Sequence, residues 1–88
     1  MKKREVREAR DFTSELKALL PNTKEADELL SDAIAYLSYL AENGAMVGGT
    51  NIYFKIVPDV LRRKRFLVIF YTIDNGIVTL QSVRAFST

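Results

Sequence analysis

The sequence predicts an α+β fold: an N-terminal helical hairpin packed on a mainly antiparallel sheet of three or four strands. Three observations point there. Helical spacing of apolar residues is confined to the first half of the chain, two-residue alternation to the second, and a change of character separates them at Gly44. With 88 residues, the chain makes one domain spanning 1–88.

Residues 5–12 offer Val6 and Phe12 as their large apolar side chains and read as an edge strand or an extension of the following helix, the strand being favoured. Thr13, Ser14 and Glu15 then supply capping residues, and Leu16, Leu19 and Leu20 follow at helical spacing. Pro21 stops this helix, because the residue before a proline is biased away from helical backbone; Asn22 or Thr23 can cap the next. Residues 24–43 place Ala26, Leu29, Leu30, Ala33, Ile34, Leu37 and Ala41 on one stripe, with Asp27, Glu28, Asp32 and Ser38 away from its centre. Gly44 is placed to close the helix in a left-handed conformation. Residues 45–50 read as a glycine-containing loop.

Strands follow. Residues 51–57 alternate Ile52, Phe54 and Ile56 against Tyr53, Lys55 and Val57, with Pro58 as the stop. Residues 66–73 are apolar on both faces, which calls for a central strand covered on both sides or for a dimer contact. Asp74-Asn75-Gly76 is a hairpin signal, and residues 77–84 return through Val78, Leu80 and Val83.

Composition narrows the chemistry. There is no cysteine and no histidine, so disulfides, thiol chemistry and Ser-His-Asp catalysis are excluded, a structural zinc site is disfavoured, and no cofactor is expected. Gly48-Gly49-Thr50 lacks the lysine and helix of a phosphate-binding loop and reads as a turn. Asp27, Glu28 and Asp32 read as a solvated helix face rather than as catalytic carboxylates. The N-terminus lacks a signal-type apolar region and no run is long enough for a membrane span, so the expected location is the cytoplasm with no membrane partner.

The net charge of +2 is unevenly spread: residues 12–44 carry two cations against six anions, and residues 45–88 carry six against two. Arg62, Arg63, Lys64 and Arg65 run directly into the apolar stretch, Lys55 lies within a strand and Arg84 closes the last one. An antiparallel sheet could gather these cations along one side, where they would bind phosphate and stabilise charge on a scissile phosphate. Tyr71 or Tyr53 could stack on a base. The alternative weighed evenly with this is protective: charges flanking a hydrophobic strand keep it from aggregating during folding.

The element order strand, helix, helix, strand, strand, strand, together with RRKRFLVIFYTIDNGIVTLQSVRAFS, resembles the RelE/ParE toxin superfamily of bacterial toxin–antitoxin modules. The shared features are an arginine-led strand (Arg65 to Ile73), a tight Asp-Asn-Gly turn, and a strand carrying Ser82-Val83-Arg84. The opening VREARDFTSELKALLP is similar to that family's first strand and helix. The resemblance implies the toxin of a type II module, neutralised by a cognate antitoxin protein. Such a toxin is either a ribosome-dependent mRNA interferase, that is an endoribonuclease, or a non-catalytic inhibitor of DNA gyrase. In the first case it implies Lys55, Arg65, Arg84 and Tyr71 as catalytic residues and Arg62, Arg63 and Lys64 as RNA contacts. Ala85 and Phe86 stand where many members carry histidine or tyrosine, so general acid–base chemistry needs Lys55 or Tyr71 with a shifted pKa. A non-toxic interaction or immunity module is the third reading. Homodimers and toxin–antitoxin hetero-oligomers are the assemblies expected.

Overall fold

The structure is a computed structural model that describes residues 3–58 and 65–87. Its elements are β1 (Glu5–Glu8), α1 (Arg10–Leu19), α2 (Thr23–Leu40) continued by one 3-10 turn (Ala41–Asn43), β2 (Ala45–Met46), β3 (Ile52–Pro58), β4 (Arg65–Asp74) and β5 (Ile77–Ser87). The fold class is α+β, with the expected order of elements and one short strand added. The sheet has five strands in the order β1-β5-β4-β3-β2, against the three or four expected. It is mixed: β1 runs parallel to β5, and the remaining neighbours are antiparallel.

The first strand is shorter and the first helix longer than the sequence suggested. The Ala9 N–H donates to the Leu80 carbonyl at 2.9 Å, the last rung between β1 and β5. The Ala9 carbonyl in turn accepts from the Thr13 N–H, the first helical bond. Helix therefore begins at Arg10, before the expected Thr13-Ser14-Glu15 start, and Phe12 belongs to it. Phe12, Leu16 and Leu20 then fall at four-residue intervals, all buried. The second helix starts as expected: the Asn22 side chain accepts from the Glu25 N–H at 3.1 Å.

The second helix departs from expectation at its far end. Ser38, assigned to the polar side, is buried; its hydroxyl donates to the Ala35 carbonyl and its own carbonyl accepts from the Arg4 N–H. An Arg4–Glu42 ion pair ties the same two segments. Gly44 is not left-handed, since its φ of −71° and ψ of 159° suit any residue. Glycine is needed for close approach: a Cβ there would overlap the Tyr71 hydroxyl oxygen and lie 3.3 Å from the Phe54 carbonyl.

Register divides the sheet into two faces. Lys55, Ile69 and Val83 stand side by side, as do Val57, Leu67 and Ala85, and this face meets the helices. The core joins Phe12, Leu16, Leu20, Ala26, Ala33, Leu37 and Ala41 of the helical half to Leu67, Ile69, Tyr71, Val78, Leu80 and Val83 of the sheet. The other face carries Phe54, Ile56, Phe66, Val68, Phe70 and Phe86. Asp74 and Ile77 pair across a two-residue turn in which Asn75 (φ 52°) and Gly76 (φ 76°) are both left-handed, as a tight hairpin of this twist requires. Further along β5, Tyr71 pairs with Leu80 but Phe70 with Ser82, so Gln81 is an extra residue, a β-bulge. The bulge moves the buried positions from even (Val78, Leu80) to odd (Val83, Ala85).

Candidate functional site

The residues that the sequence puts forward are distributed by this register over both faces of the sheet. Tyr71 lies on the helix-covered face of β4, fully buried. Its hydroxyl donates to the Ala41 carbonyl at 2.6 Å and its ring stacks on Tyr53 with centroids 5.5 Å apart. Burial pushes the Tyr71 hydroxyl up to about 12, and the neighbouring phenols of Tyr36 and Tyr53 act in the same direction. A general base near neutral pH needs the opposite shift. The geometry makes Tyr71 a structural link between β4 and the end of the second helix, and its buried ring is not free for a base to stack upon.

Lys55 shares that face, directly across from Ile69. Its Nζ stands 3.8 Å from the centre of the Tyr36 ring, a cation–π contact between β3 and α2. Together they line a cleft of about 760 Å³ with a floor including Leu29, Ala33 and Val57 and with Glu28 and Asp32 at its margin. Glu28 and Asp32, which the sequence assigned to a solvated helix face, thus line the same cleft as Lys55.

Arg65 begins β4 on the helix-covered side, opposite Ser87. Its Nη2 donates to the Leu19 carbonyl at 3.1 Å, at the C-terminal end of α1, where carbonyls lack helical partners and a cation opposes the helix dipole. Four residues separate it from Ile69, the neighbour of Lys55, so the two backbone positions are offset by about 13 Å along the sheet.

Arg84 is exposed and pairs with Val68, which places it on the open face. It lines a separate niche of about 400 Å³ with Asp11, Ser14, Glu15, Gln81 and Ser82. Glu15 is the organising residue there: its carboxylate accepts from the Val83 N–H at 3.3 Å, replacing β1 as the neighbour of β5 beyond Leu80. Arg62, Arg63 and Lys64 lie outside the described residues.

Lys55, Arg65, Arg84 and Tyr71 are therefore not brought to one point. Among the described residues no group of three or more acidic side chains stands in metal-binding proximity, and no helix is long and apolar enough to cross a membrane. Sequence reading missed Tyr36, Glu15 and the open aromatic face. Alternation had already set Phe54 and Ile56 apart from Lys55 without showing which set the helices cover, whereas Tyr36 and Glu15 meet their partners only through tertiary packing.

The fold and its surfaces thus define an α+β domain with two helices on one face of a five-stranded mixed sheet and, opposite, an apolar face over which no helix lies among the described residues. No family model, no curated protein and no solved structure matches this chain.

Proposed function

We propose that this chain works by gripping a protein, as a non-catalytic RelE/ParE-like toxin or a related interaction module of the cytoplasm, and not by cutting RNA. The observation that carries this reading is the separation of the candidate groups. Phosphoryl chemistry requires its charged side chains to converge within hydrogen-bond reach of one phosphate. Lys55 and Arg65 instead make contacts that brace helices against the sheet, Arg84 lies on the other face, and the Tyr71 hydroxyl is sealed in the core. The element order supports the resemblance to the toxin superfamily, whose non-catalytic branch acts on DNA gyrase and is held by an antitoxin.

Expressing the chain alone in growing bacteria and mapping mRNA 5′ ends tests the reading, with supercoiling by gyrase followed in the same cells. Unchanged 5′ ends are expected, whether or not growth slows. New ends that disappear in an Arg84→Ala variant of unchanged stability would overturn it.

One observation favours the mRNA interferase reading: the run Arg62, Arg63, Lys64 and Arg65 directly precedes the central strand. If it holds phosphates, replacing Arg62, Arg63 and Lys64 by alanine lowers the slope of log affinity against log salt by about 2 to 3 on single-stranded RNA. An unchanged slope removes this reading.

A further inference from the structure

We propose that the open face of the sheet packs against the same face of a second copy of this chain, forming a two-fold dimer whose helices lie outermost. This goes beyond the reading above, because it concerns self-association and not the target.

Strand alternation loads the face with apolar side chains where a solvent-facing sheet carries polar ones. Ile56 and Phe86 are 55% and 44% exposed, although both belong to the apolar set. Val68, 7% exposed, stands outside the helix-side core cluster. Among the described residues no helix lies over this side. Among the described residues the charges it carries are Glu5, Arg7, Asp74 and Arg84, and Glu5 and Arg7 already form an ion pair with each other. Such a nearly neutral face selects neither a strongly acidic nor a strongly basic partner, and its opposite charges can pair across a two-fold axis.

Its relief fits a copy of itself. The Phe66 and Phe86 rings stack at 5.7 Å, and Phe54 and Phe70 lean together at 6.5 Å. These form two aromatic ridges, about 13 Å apart along β4, separated by the row Ile56, Val68 and Arg84. A copy turned by a half rotation can lay a ridge in that trough, as aligned sheets interdigitate at about 10 Å with matching twist. The area is adequate. Five strands at about 4.8 Å, over some seven residues of length, give on the order of 600 Å² before side-chain relief is counted. A standard interface takes about 800 Å² from each partner.

Sedimentation equilibrium of the full chain over a concentration series tests this. The chain should dimerise at micromolar concentration. Ile56→Asp and Phe86→Asp, each at a position exposed in the single chain, should weaken association on the order of 100-fold while the circular dichroism of the monomer is retained. Tyr39→Asp, on the second helix and 43% exposed, serves as the control and should change nothing. A wild-type chain that stays monomeric at about 100 μM overturns the proposal. So does a dimer that Tyr39→Asp disrupts and the two face variants do not. If either face variant loses its monomer fold, Phe86→Ser replaces it, and undiminished association in that variant also refutes the proposal.

Discussion

The contact between Gly44 and Tyr71 makes a quantitative claim about what locks the end of the second helix to the sheet. Tyr71→Phe removes the 2.6 Å bond to the Ala41 carbonyl. That carbonyl also accepts from the Gly44 N–H at 3.3 Å, so it keeps one partner, and the cost should stay near that of one buried hydrogen bond, about 1 kcal/mol. Gly44→Ala meets no backbone penalty at φ −71° and ψ 159°. Its cost is steric, because the new methyl overlaps the Tyr71 hydroxyl, and Tyr71 is fully buried with its ring stacked on Tyr53. Displacing that ring combines overpacking with loss of the bond, about 2 to 3 kcal/mol. In the Tyr71→Phe background the overlapping atom is gone. The nearest neighbours of the methyl are then the ring carbon Cζ at 3.1 Å and the Phe54 carbonyl at 3.3 Å. A few tenths of an ångström of adjustment is opposed by the entropy advantage of alanine in the unfolded chain, so the substitution should there cost less than about 1 kcal/mol. Urea denaturation of the four proteins should therefore give a coupling of about 2 kcal/mol at unchanged m-value. Costs that add within about 0.5 kcal/mol would refute the steric argument.

The same tyrosine predicts an alkaline transition. Its hydroxyl titrates near 12 in the folded chain, above the ordinary 10. The folded state therefore holds the proton more tightly, and the stabilisation is present below pH 10 and lost as pH rises through 12. The full loss is about 2 to 3 kcal/mol, more than the roughly 1 kcal/mol by which wild type exceeds Tyr71→Phe at neutral pH, so their denaturation midpoints should cross over that interval. Asn22→Ala should cost about 1 kcal/mol by leaving the Glu25 N–H uncapped, with the far-ultraviolet spectrum of the folded state unchanged. Gly76→Ala places a side chain at φ 76° and should lower stability by about 1 kcal/mol, whereas Gly48→Ala meets open space and should change it by less than about 0.5 kcal/mol.

Local chemistry made some elements readable before the fold was known. Asn75-Gly76 specifies its turn through two residues that tolerate positive φ, and Asn22 specifies a helix start through one side-chain oxygen. Where the deciding partner is distant, sequence reading went astray. The end of β1 is set by the Leu80 carbonyl, the burial of Ser38 by its packing near Arg4, and the glycine at 44 by a tyrosine 27 positions later. The two-residue β2 gives no periodic signal, and it forms because the chain beyond it turns back through Val47 and Thr50 to begin β3. The candidate site failed for a related reason. A charge run is visible in sequence, but convergence depends on strand parity, and parity separates Arg84 from Lys55 and Arg65.

The extra residue in β5 turns that parity into a matter of counting. Removing Gln81 would join Leu80 directly to Ser82 and leave Ser82, Arg84 and Phe86 facing outward, whereas removing or adding one residue beyond Ser82 would turn every side chain after it to the opposite face. The far half of β5 should therefore accept many replacements at its outward positions and no change in length. Among homologous chains, gaps and insertions should avoid this stretch even where the residues themselves drift.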